Sequence, residues 1–415
     1  MPAEMMHNTC PNCRHEELES FFSIKNAPVQ SLVTIKNKQD ALAIPRKDIT
    51  LTLCKNCGFI FNGLFDTSID YYTKGYEDQQ AFSGTFISFL TSVTKKFIKK
   101  YDIFNKEVVE IGCGKGDFIN LLSELGNNRG TGIDPAWEPG RTKDNPNVRF
   151  IKEFYSEAHG DLHADAICCR HTLEHIHDTL GFLRKVRASI KEDKKAILFF
   201  EVPSILRILD VQAFWDIFYE HCTYFSPGSL GRLFRLSGFE VLDMYFEYDE
   251  QYLFIEAKPT KSTSTFVHPL EESVEHLSYV AQSFVGKVNI VLSEWRDRLL
   301  LWREERKKVV VWGGGSKSVG FLTQFADLGI IEHVVDINPN MTGNYIPGIG
   351  IQYKNPVFLA EYQPDVVIIM NAVYVNEISA MLTPIRGDSH DRSFVSNSYL
   401  IINRDSHTIC NMILQ

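Results

Sequence analysis

Two short cysteine pairs near the start of the chain have the residue types and the spacing of a metal site. The pairs are Cys10-Pro11-Asn12-Cys13 and Cys54-Lys55-Asn56-Cys57. Two residues between thiolates let a tight turn aim both sulfurs at one point, so two such turns supply the four ligands of a closed tetrahedral zinc site. The other cysteines are scattered, which favours zinc over two redox or disulfide pairs. A closed four-sulfur site has no open position for a substrate, so its expected role is structural.

A glycine-rich turn follows a predicted buried strand and begins a predicted helix. The segment Glu110–Asp117 reads E-I-G-C-G-K-G-D. Glycine lets the backbone pass close to a ligand, and the helix N-terminal amides then face that ligand. Asp134 ends the next predicted strand, where a carboxylate can bind the hydroxyls of a ribose. The spacing differs from the G-x-G-x-x-G of dinucleotide-binding proteins, which counts against a nicotinamide-dependent dehydrogenase.

Histidines and carboxylates gather in two short segments that follow predicted strands. The segment Arg170–His177 reads R-H-T-L-E-H-I-H, and Phe218–Ser226 reads F-Y-E-H-C-T-Y-F-S. Doubly wound sheets bind ligands beyond the carboxyl ends of their strands, so both segments are expected near a ligand. A histidine beside a glutamate can act as a general base near neutral pH. The spacing of His171 and His175 also suggests metal, but the H-E-x-x-H pattern of metalloproteases is absent.

Alternating strand and helix patterns predict the elements that position these residues. From Glu107 to Ala257, strand-like apolar runs alternate with helix-like amphipathic runs, which indicates a parallel sheet with helices on both faces. A long amphipathic helix is predicted from about Leu270 to Arg306. The alternation then starts again at the strand Val309–Trp312, which leads into a second glycine-rich turn, Gly313–Lys317.

The predicted fold class is therefore α/β, with a doubly wound sheet between a small N-terminal zinc module and a second α/β domain. The predicted parts are a zinc-binding module over 1–70, a doubly wound domain over 71–262, a helical connector over 263–305 and a C-terminal α/β domain over 306–415.

Charge and hydropathy exclude some classes of protein. The chain has 415 residues and a net charge of −9, which argues against nucleic-acid binding because phosphate neutralisation needs a basic surface. No apolar run is long enough to span a membrane, and Met1–Thr9 lacks a signal-peptide core. We expect a cytoplasmic protein with reduced thiols, as a monomer or small homo-oligomer.

The first glycine-rich turn is similar to that of the class I S-adenosylmethionine-dependent methyltransferases, whose motif is E-x-G-x-G-x-G with an acid after the second strand. The resemblance implies the Rossmann-like methyltransferase fold and S-adenosylmethionine as the cofactor. The cofactor-binding residues that it implies are Glu110, Gly112, Cys113, Gly114, Gly116, Asp134, Arg170, His171 and Ser83.

The order of the motifs resembles that of sugar C-methyltransferases, which act on nucleotide-linked 4-keto deoxysugars. After the cysteine pairs and the glycine turn come H-I-x-D at His175–Asp178, E-V-P at Glu201–Pro203 and E-H-x-x-Y-F-S at Glu220–Ser226. In the C-terminal part, Gly313–Lys317 and Asp336–Gly348 are also similar to segments of that family. The resemblance covers nearly the whole chain and implies that the C-terminal domain helps to hold a nucleotide diphosphate.

The same resemblance implies roles for individual residues. His221 is the implied base, with Glu220, His175 and Tyr76 as its catalytic partners, and Tyr76 belongs to a segment that closes over substrate and cofactor. The implied substrate-binding residues are Tyr219, Tyr224, Gly315, Ser316, Lys317 and Asn338. The chain departs from the family at Phe218, where tyrosine is common, and at Met341, where a basic residue is common. Both departures bear on which sugar is used and which atom is methylated.

The implied reaction is methylation of C3 of a nucleotide-linked 4-keto deoxysugar through an enolate, with His221 as the base. Two alternatives remain open from the sequence. One is O- or N-methylation of another small metabolite, and the other is a non-catalytic zinc-ribbon binding protein. The intact Glu110, the glycines and Asp134 argue against the non-catalytic alternative.

Overall fold

The computed structural model describes residues 8–69, 75–160, 163–191, 195–262, 265–385, 398–401 and 411–412. Its strands form a four-stranded, a seven-stranded and a six-stranded sheet. The strands are β1 Leu18–Pro28, β2 Arg46–Cys54, β3 Ile60–Asn62, β4 Glu107–Ile111, β5 Arg129–Ile133, β6 Val148–Ile151, β7 Ala166–Arg170, β8 Ile197–Pro203, β9 Thr223–Tyr224, β10 Phe239–Glu247, β11 Tyr252–Pro259, β12 Val309–Trp312, β13 Ile331–Val335, β14 Gln352–Lys354, β15 Val366–Ile369, β16 Ser398–Ile401 and β17 Asn411–Met412.

Helices cover the sheets and connect them. The α-helices are α1 Lys38–Leu42, α2 Gly84–Tyr101, α3 Asp117–Gly126, α4 Thr179–Ser189, α5 Ile205–Asp210, α6 Pro227–Leu236, α7 Val274–Glu304, α8 Ser316–Phe325, α9 Phe358–Tyr362 and α10 Val375–Ile385. Short 3₁₀ helices lie at Glu157–His159, Leu173–His175, Phe214–Asp216, Ala326–Leu328 and Ala372–Tyr374. No helix among the described residues is long and apolar enough to cross a membrane.

The seven-stranded sheet is doubly wound, as the alternating pattern predicts. Its order is β10-β11-β8-β7-β4-β5-β6, in which β4 to β8 run parallel and β10 and β11 form an antiparallel edge. The chain moves outward from β4 in both directions, through β5 on one side and β7 on the other. A crevice therefore opens beyond the carboxyl ends of β4 and β7. These are the ends that carry the first glycine turn and the segment Arg170–His177.

The four-stranded sheet joins the N-terminal part to the histidine segment. Its order is β1-β2-β3-β9, and β9 pairs Tyr224 with Ile60 and Thr223 with Phe61. Strand β9 belongs to the E-H-x-x-Y-F-S motif, so residues far apart in sequence complete one sheet. The register of β1 shifts between Ser20 and Phe22, which interrupts the alternation of apolar and polar residues. A bulge of this kind removes the regular alternation from which a strand is recognised in a sequence.

The six-stranded sheet builds the C-terminal domain. Its order is β14-β13-β12-β15-β16-β17, so a second crevice opens beyond β12, where the second glycine turn lies. Helix α8 packs closely on residues 214–216, because a Cβ on Gly320 would lie 2.4 Å from the carbonyl oxygen of Trp215. The two α/β units are thus in direct contact.

Helix α7 is built into the core as well as connecting the two α/β units. Its buried side includes Leu277, Phe284 and Trp295, which belong to one hydrophobic cluster with β1, β2 and β12. The predicted domain boundaries at 70/71 and 262/263 involve residues outside the described part of the chain. The division into domains stays a prediction.

Candidate active site

A cavity of about 390 Å³ lies where the crevices of the two α/β sheets face each other. Its wall takes residues from both sheets and from the segment 75–83. The predicted site residues in the wall are Tyr76, Ser83, Glu110, Gly112, Cys113, Gly114, Asp134, Arg170, His171, His175, His221, Gly315, Ser316, Lys317 and Asn338. The fold therefore brings residues from widely separated motifs to one space.

Four predicted site residues lie behind the wall. Gly116 is the N-cap of α3, with a φ of +97°. Tyr219 is buried in the core, where its hydroxyl accepts a hydrogen bond from the Asp66 amide at 2.9 Å. Tyr224 lies in β9 and its hydroxyl faces the Phe218 carbonyl. Tyr219 and Tyr224 both lie in the buried core and outside the described cavity wall, and their assignment to substrate binding stays a prediction. The carboxylate of Glu220 is also buried, it accepts a hydrogen bond from Ser31, and Glu220 is not among the wall residues.

The first glycine turn is shaped to accept a ligand at close range. Gly112 and Gly114 have φ values of +71° and +52°. A Cβ on Gly112 would lie 1.9 Å from the Thr172 hydroxyl, so only glycine fits there. The Gly114 amide donates to Asp134 at 2.9 Å, which fixes the carboxylate beside the turn.

The acids around this turn are suited to a positively charged ligand. Burial raises the pKa of Glu110 to about 8 and that of Asp78 to about 7, and it also raises the pKa of Asp134. Glu110 Oε2 and Asp78 Oδ1 have no hydrogen-bond partner among the described residues. A cationic group would satisfy these oxygens and restore their charge. S-adenosylmethionine carries a sulfonium and an ammonium group, so the residues present fit this cofactor.

The segment 75–83 covers the turn and is held from several sides. Lys115 Nζ donates to the Tyr76 carbonyl at 2.9 Å, and Gln79 donates to Asp117 at 3.1 Å. Arg141 binds both oxygens of the buried Glu77, at 2.8 and 2.7 Å. These bonds fix the segment over the crevice.

The C-terminal domain reaches the same segment. Asn338 Nδ2 donates to Glu77 at 3.1 Å, so this predicted substrate contact is already engaged with the covering segment. The Ser83 hydroxyl caps α2 and donates to Glu377 at 2.7 Å. Ser83 lies in the cavity wall, and its side chain joins α2 to α10.

The three histidines at the cavity have different charge states. Burial alone would lower the pKa of His171, but Glu201 and Glu174 raise it to about 9, so His171 is a cation. Burial lowers the pKa of His175, and burial together with the neighbouring His175 lowers that of His221 well below its ordinary value. A lowered pKa favours the neutral form of His175 and His221, and a neutral ring offers an acceptor nitrogen.

His221 is placed as a proton acceptor. Its ring centroid lies 4.9 Å from that of His175 and 4.0 Å from that of Phe218. His221 Nδ1 has no hydrogen-bond partner within the described part of the chain. His175 Nδ1 lies 3.0 Å from the Glu220 carbonyl, so it carries the hydrogen and leaves Nε2 as the acceptor.

Sequence reasoning missed several acids that organise this site. Glu174 lies 3.4 Å from His171 Nδ1 and offers an oxygen within 4.8 Å of nitrogens on His175 and His221. Glu201 pairs with both Arg170 and His171, and Glu377 caps α2. The position of Glu201 at the end of β8 was a signal available in the sequence, whereas the partners of Glu174 and Glu377 depend on the packing of the fold.

The four paired cysteines come together in a separate cluster. Their sulfurs lie within 4.8 Å of one another, with 3.7 Å between Cys10 and Cys57 and 3.5 Å between Cys13 and Cys54. A tetrahedral zinc site with bonds of about 2.3 Å needs sulfurs about 3.8 Å apart. The cysteine set therefore fits a structural zinc ion, and the sulfurs are too far apart for disulfides.

The cysteine cluster packs against one face of the seven-stranded sheet. Thr179 at the start of α4 bonds to Asn12, and Arg232 of α6 donates to the Cys57 carbonyl at 2.9 Å. None of the four cysteines lies in the described cavity wall, in agreement with a structural role.

Comparison with known families matches two consecutive parts of the chain. Residues 86–244 match a methyltransferase domain, and residues 258–394 match a C-methyltransferase C-terminal domain. The C-methyltransferase NovU of Streptomyces niveus is 24% identical over 248 residues, which are 57% of this chain and 57% of NovU. A ubiquinone biosynthesis O-methyltransferase of Actinobacillus pleuropneumoniae is 29% identical over 156 residues, 34% of this chain and 65% of that protein. The chain thus spans less than two thirds of each of these relatives.

Solved structures of methyltransferases align with part of the chain. The 1,6-didemethyltoxoflavin-N1-methyltransferase of Burkholderia thailandensis covers 41% of this chain and 79% of its own, with 18% identity and a TM-score of 0.32. The magnesium protoporphyrin IX methyltransferase of Synechocystis covers 42% of this chain and 84% of its own, with 16% identity and a TM-score of 0.32.

The match over residues 86–244 confirms the prediction of a methyltransferase domain, and the strand order confirms the doubly wound fold. The chain therefore combines a methyltransferase domain with a C-methyltransferase C-terminal domain, and it is similar to the C-methyltransferase NovU.

Proposed function

We propose that the protein transfers a methyl group from S-adenosylmethionine to C3 of a nucleotide-linked 4-keto deoxysugar. The observation that carries this proposal is the shared cavity, in which a cofactor-type glycine turn, two neutral histidines and a second glycine turn face one space. The C-methyltransferase C-terminal domain and the relative NovU favour carbon as the methylated atom.

The cofactor would lie against the first glycine turn. Gly112 and Gly114 give it close approach, Asp134 binds the ribose hydroxyls, and Glu110 faces the cationic methionine portion. When bound, S-adenosylmethionine supplies a methyl group that its sulfonium activates towards nucleophiles. The covering segment 75–83 then excludes water from the crevice.

The second glycine turn is the proposed site of the nucleotide diphosphate. The Gly314 amide donates to Asp336, as the Gly114 amide donates to Asp134 in the first turn. Helix α8 begins at Ser316, so its free amides and Lys317 can neutralise an anion at this end of the cavity. Lys317 forms an ion pair with Asp216, which holds its ammonium group beside the space.

His221 is the proposed base. The 4-keto group acidifies the proton on C3, and the neutral His221 accepts that proton to leave an enolate, whose carbon receives the methyl group. Phe218 supplies no hydroxyl, and a neutral His175 presents an acceptor at Nε2. Tyr76 and Lys317, both in the wall, are the donors that we assign to the enolate oxygen. Placement of the base and alignment of the reacting atoms each contribute several kcal/mol, on the order expected for such effects.

His221→Asn tests the base assignment. With a nucleotide 4-keto deoxysugar and labelled S-adenosylmethionine, we expect kcat to fall by about 10²- to 10⁴-fold. S-adenosylhomocysteine binding should not change, because His221 does not belong to the glycine turn. His333→Asn is the matched control, since His333 lies in β13 and not in the described cavity wall. Turnover of His221→Asn near the wild-type rate would exclude His221 as the base.

Methylation of oxygen is the second candidate function, favoured by the similarity to an O-methyltransferase over 156 residues. NMR of the product distinguishes the two reactions, because a methyl group on carbon and one on oxygen have different chemical shifts. A methyl resonance at the chemical shift of an O-methyl group would show that oxygen, and not carbon, accepts the methyl group.

A further inference from the structure

Ser31 is a buried residue at which three parts of the chain meet. It lies between β1 and α1, and only 2% of its surface is exposed. Its hydroxyl donates to the Glu220 carboxylate and lies 2.9 Å from the Ser316 hydroxyl. Glu220 precedes the proposed base in sequence, and Ser316 begins α8 at the second glycine turn. One side chain therefore connects the N-terminal sheet, the histidine segment and the proposed diphosphate site.

The direction of these hydrogen bonds follows from the number of protons. A hydroxyl carries one proton, and an ionised carboxylate can only accept. Burial raises the pKa of Glu220 to about 7, so above that pH Ser31 donates to the ionised Glu220 and Ser316 donates to Ser31. The Ser316 proton is then unavailable to a bound phosphate unless the bond to Ser31 is released.

Glu220 in turn positions both neutral histidines. Its carbonyl lies 3.0 Å from His175 Nδ1 and fixes the tautomer of that ring. Its backbone continues directly into His221. Its other carboxylate oxygen, Oε1, has no hydrogen-bond partner among the described residues, so Ser31 is its side-chain anchor. The backbone amides of Ser31 and Leu32 face the same carboxylate.

We propose that Ser31 is a positioning residue that couples the diphosphate site to the base-bearing segment through the chain Ser316–Ser31–Glu220. This inference rests on the proposed function, which assigns the nucleotide diphosphate to the second glycine turn. A diphosphate at α8 accepts the hydrogen bond of the Ser316 hydroxyl, which releases Ser31 from Ser316 and changes how Ser31 holds Glu220. Binding of a diphosphate therefore changes how Glu220 positions His175 and His221.

Steady-state kinetics of the full-length protein test the coupling. We expect Ser31→Ala to lower kcat on the order of tenfold and to change the KM for the nucleotide sugar less than about threefold, because Ser31 positions the base and does not contact substrate. Ser31→Thr keeps the hydroxyl and should recover most of kcat. The double variant Ser31→Ala/Ser316→Ala should lose no more kcat than the larger single loss, because residues in one hydrogen-bonded chain are not additive.

Calorimetric titration with thymidine diphosphate and with uridine diphosphate tests the coupling without turnover. We expect Glu220→Gln to change diphosphate affinity by about threefold or more when Ser31 is present and to leave it unchanged in the Ser31→Ala background. If the wild-type protein binds a diphosphate but methylates no nucleotide keto-sugar, the proposed function is wrong. The comparison of Glu220→Gln with and without Ser31 would still test the coupling, because it needs no turnover.

Several results would overturn the inference. These are additive losses in both cycles, failure of Ser31→Thr to recover kcat, and binding of neither diphosphate. Equal losses of S-adenosylhomocysteine and diphosphate binding in Ser31→Ala would also overturn it, because they indicate a purely structural residue. If Ser31→Ala does not fold, a double-mutant cycle of Ser316→Ala and Glu220→Gln, measured by diphosphate affinity, tests the coupling instead. Additive effects of the two substitutions would reject the coupling.

Discussion

At the scale of single residues, the site depends on burial to set the charge of similar side chains. His171, His175 and His221 look alike in the sequence, yet Glu201 and Glu174 keep only His171 protonated. The residue types and their spacing predicted the histidines as a group. The division into one cation and two neutral rings follows from Glu174 and Glu201, which approach His171 only in the folded chain.

Gly112 provides a residue-scale test of the cofactor site. A Cβ there would overlap the Thr172 hydroxyl, so we expect Gly112→Ala to weaken S-adenosylhomocysteine binding by more than about tenfold, since a shift of the turn moves its amides away from the ligand. Gly140→Ala is the matched control, because Gly140 has a φ of +76° but nothing lies within 4 Å of its Cβ position. Isothermal titration of both variants makes the comparison. Similar losses in the two variants would show that backbone strain alone is responsible.

At the scale of elements, buried regular strands were predictable and edge strands were not. The bounds of β12 agree with the sequence prediction, because it is an unbroken apolar run that ends at a glycine turn, and β4 ends at the other glycine turn. Strand β1 contains two register shifts, and β9 has two residues, so neither produces a clear alternation. Their existence depends on pairing with β2 and β3, which a local pattern does not contain.

The covering segment 75–83 gives an element-scale prediction. Glu77 is 5% exposed and pairs with Arg141, so Arg141→Ala leaves a buried carboxylate without its cation. We expect a loss of about 3 kcal/mol in the free energy of unfolding. Arg129→Ala is the control, because its ion pair with Glu107 is solvent-exposed and should contribute under about 1 kcal/mol. Urea denaturation measures both. Equal effects would mean that Asn338 and Gln79 hold the segment without Arg141.

At the scale of the whole molecule, three parts of the chain build one cavity. Glu377 of α10 bonds to Ser83 and to the amides that begin α2, and Asn338 bonds to Glu77. The sequence indicated two α/β units and a cysteine module, and the resemblance indicated a shared substrate. The contacts that close the units on each other join residues hundreds of positions apart, so no local pattern predicts them.

The cysteine cluster acts on the cavity through the N-terminal sheet. The cysteine pairs flank β1 and β2, β3 pairs with β9, and β9 begins two residues after His221. The same N-terminal part carries Ser31, which holds Glu220. The first glycine turn belongs to a different sheet, between β4 and α3. Loss of the metal should therefore loosen the histidine segment more than the cofactor site.

Removal of zinc tests this transmission. After chelation, with metal content measured by mass spectrometry, we expect the affinity for S-adenosylhomocysteine to change less than about threefold, because α3 packs on Val108 of β4 in a cluster that contains none of the four cysteines. The affinity for a nucleotide sugar should fall by about tenfold or more, because β9 and the loop of Ser31 lose their support. Added zinc should restore it. Equal losses of both affinities would show that the cysteine cluster stabilises the whole fold and not the histidine segment in particular. Unchanged affinities would show that the cluster has no effect on ligand binding in the cavity.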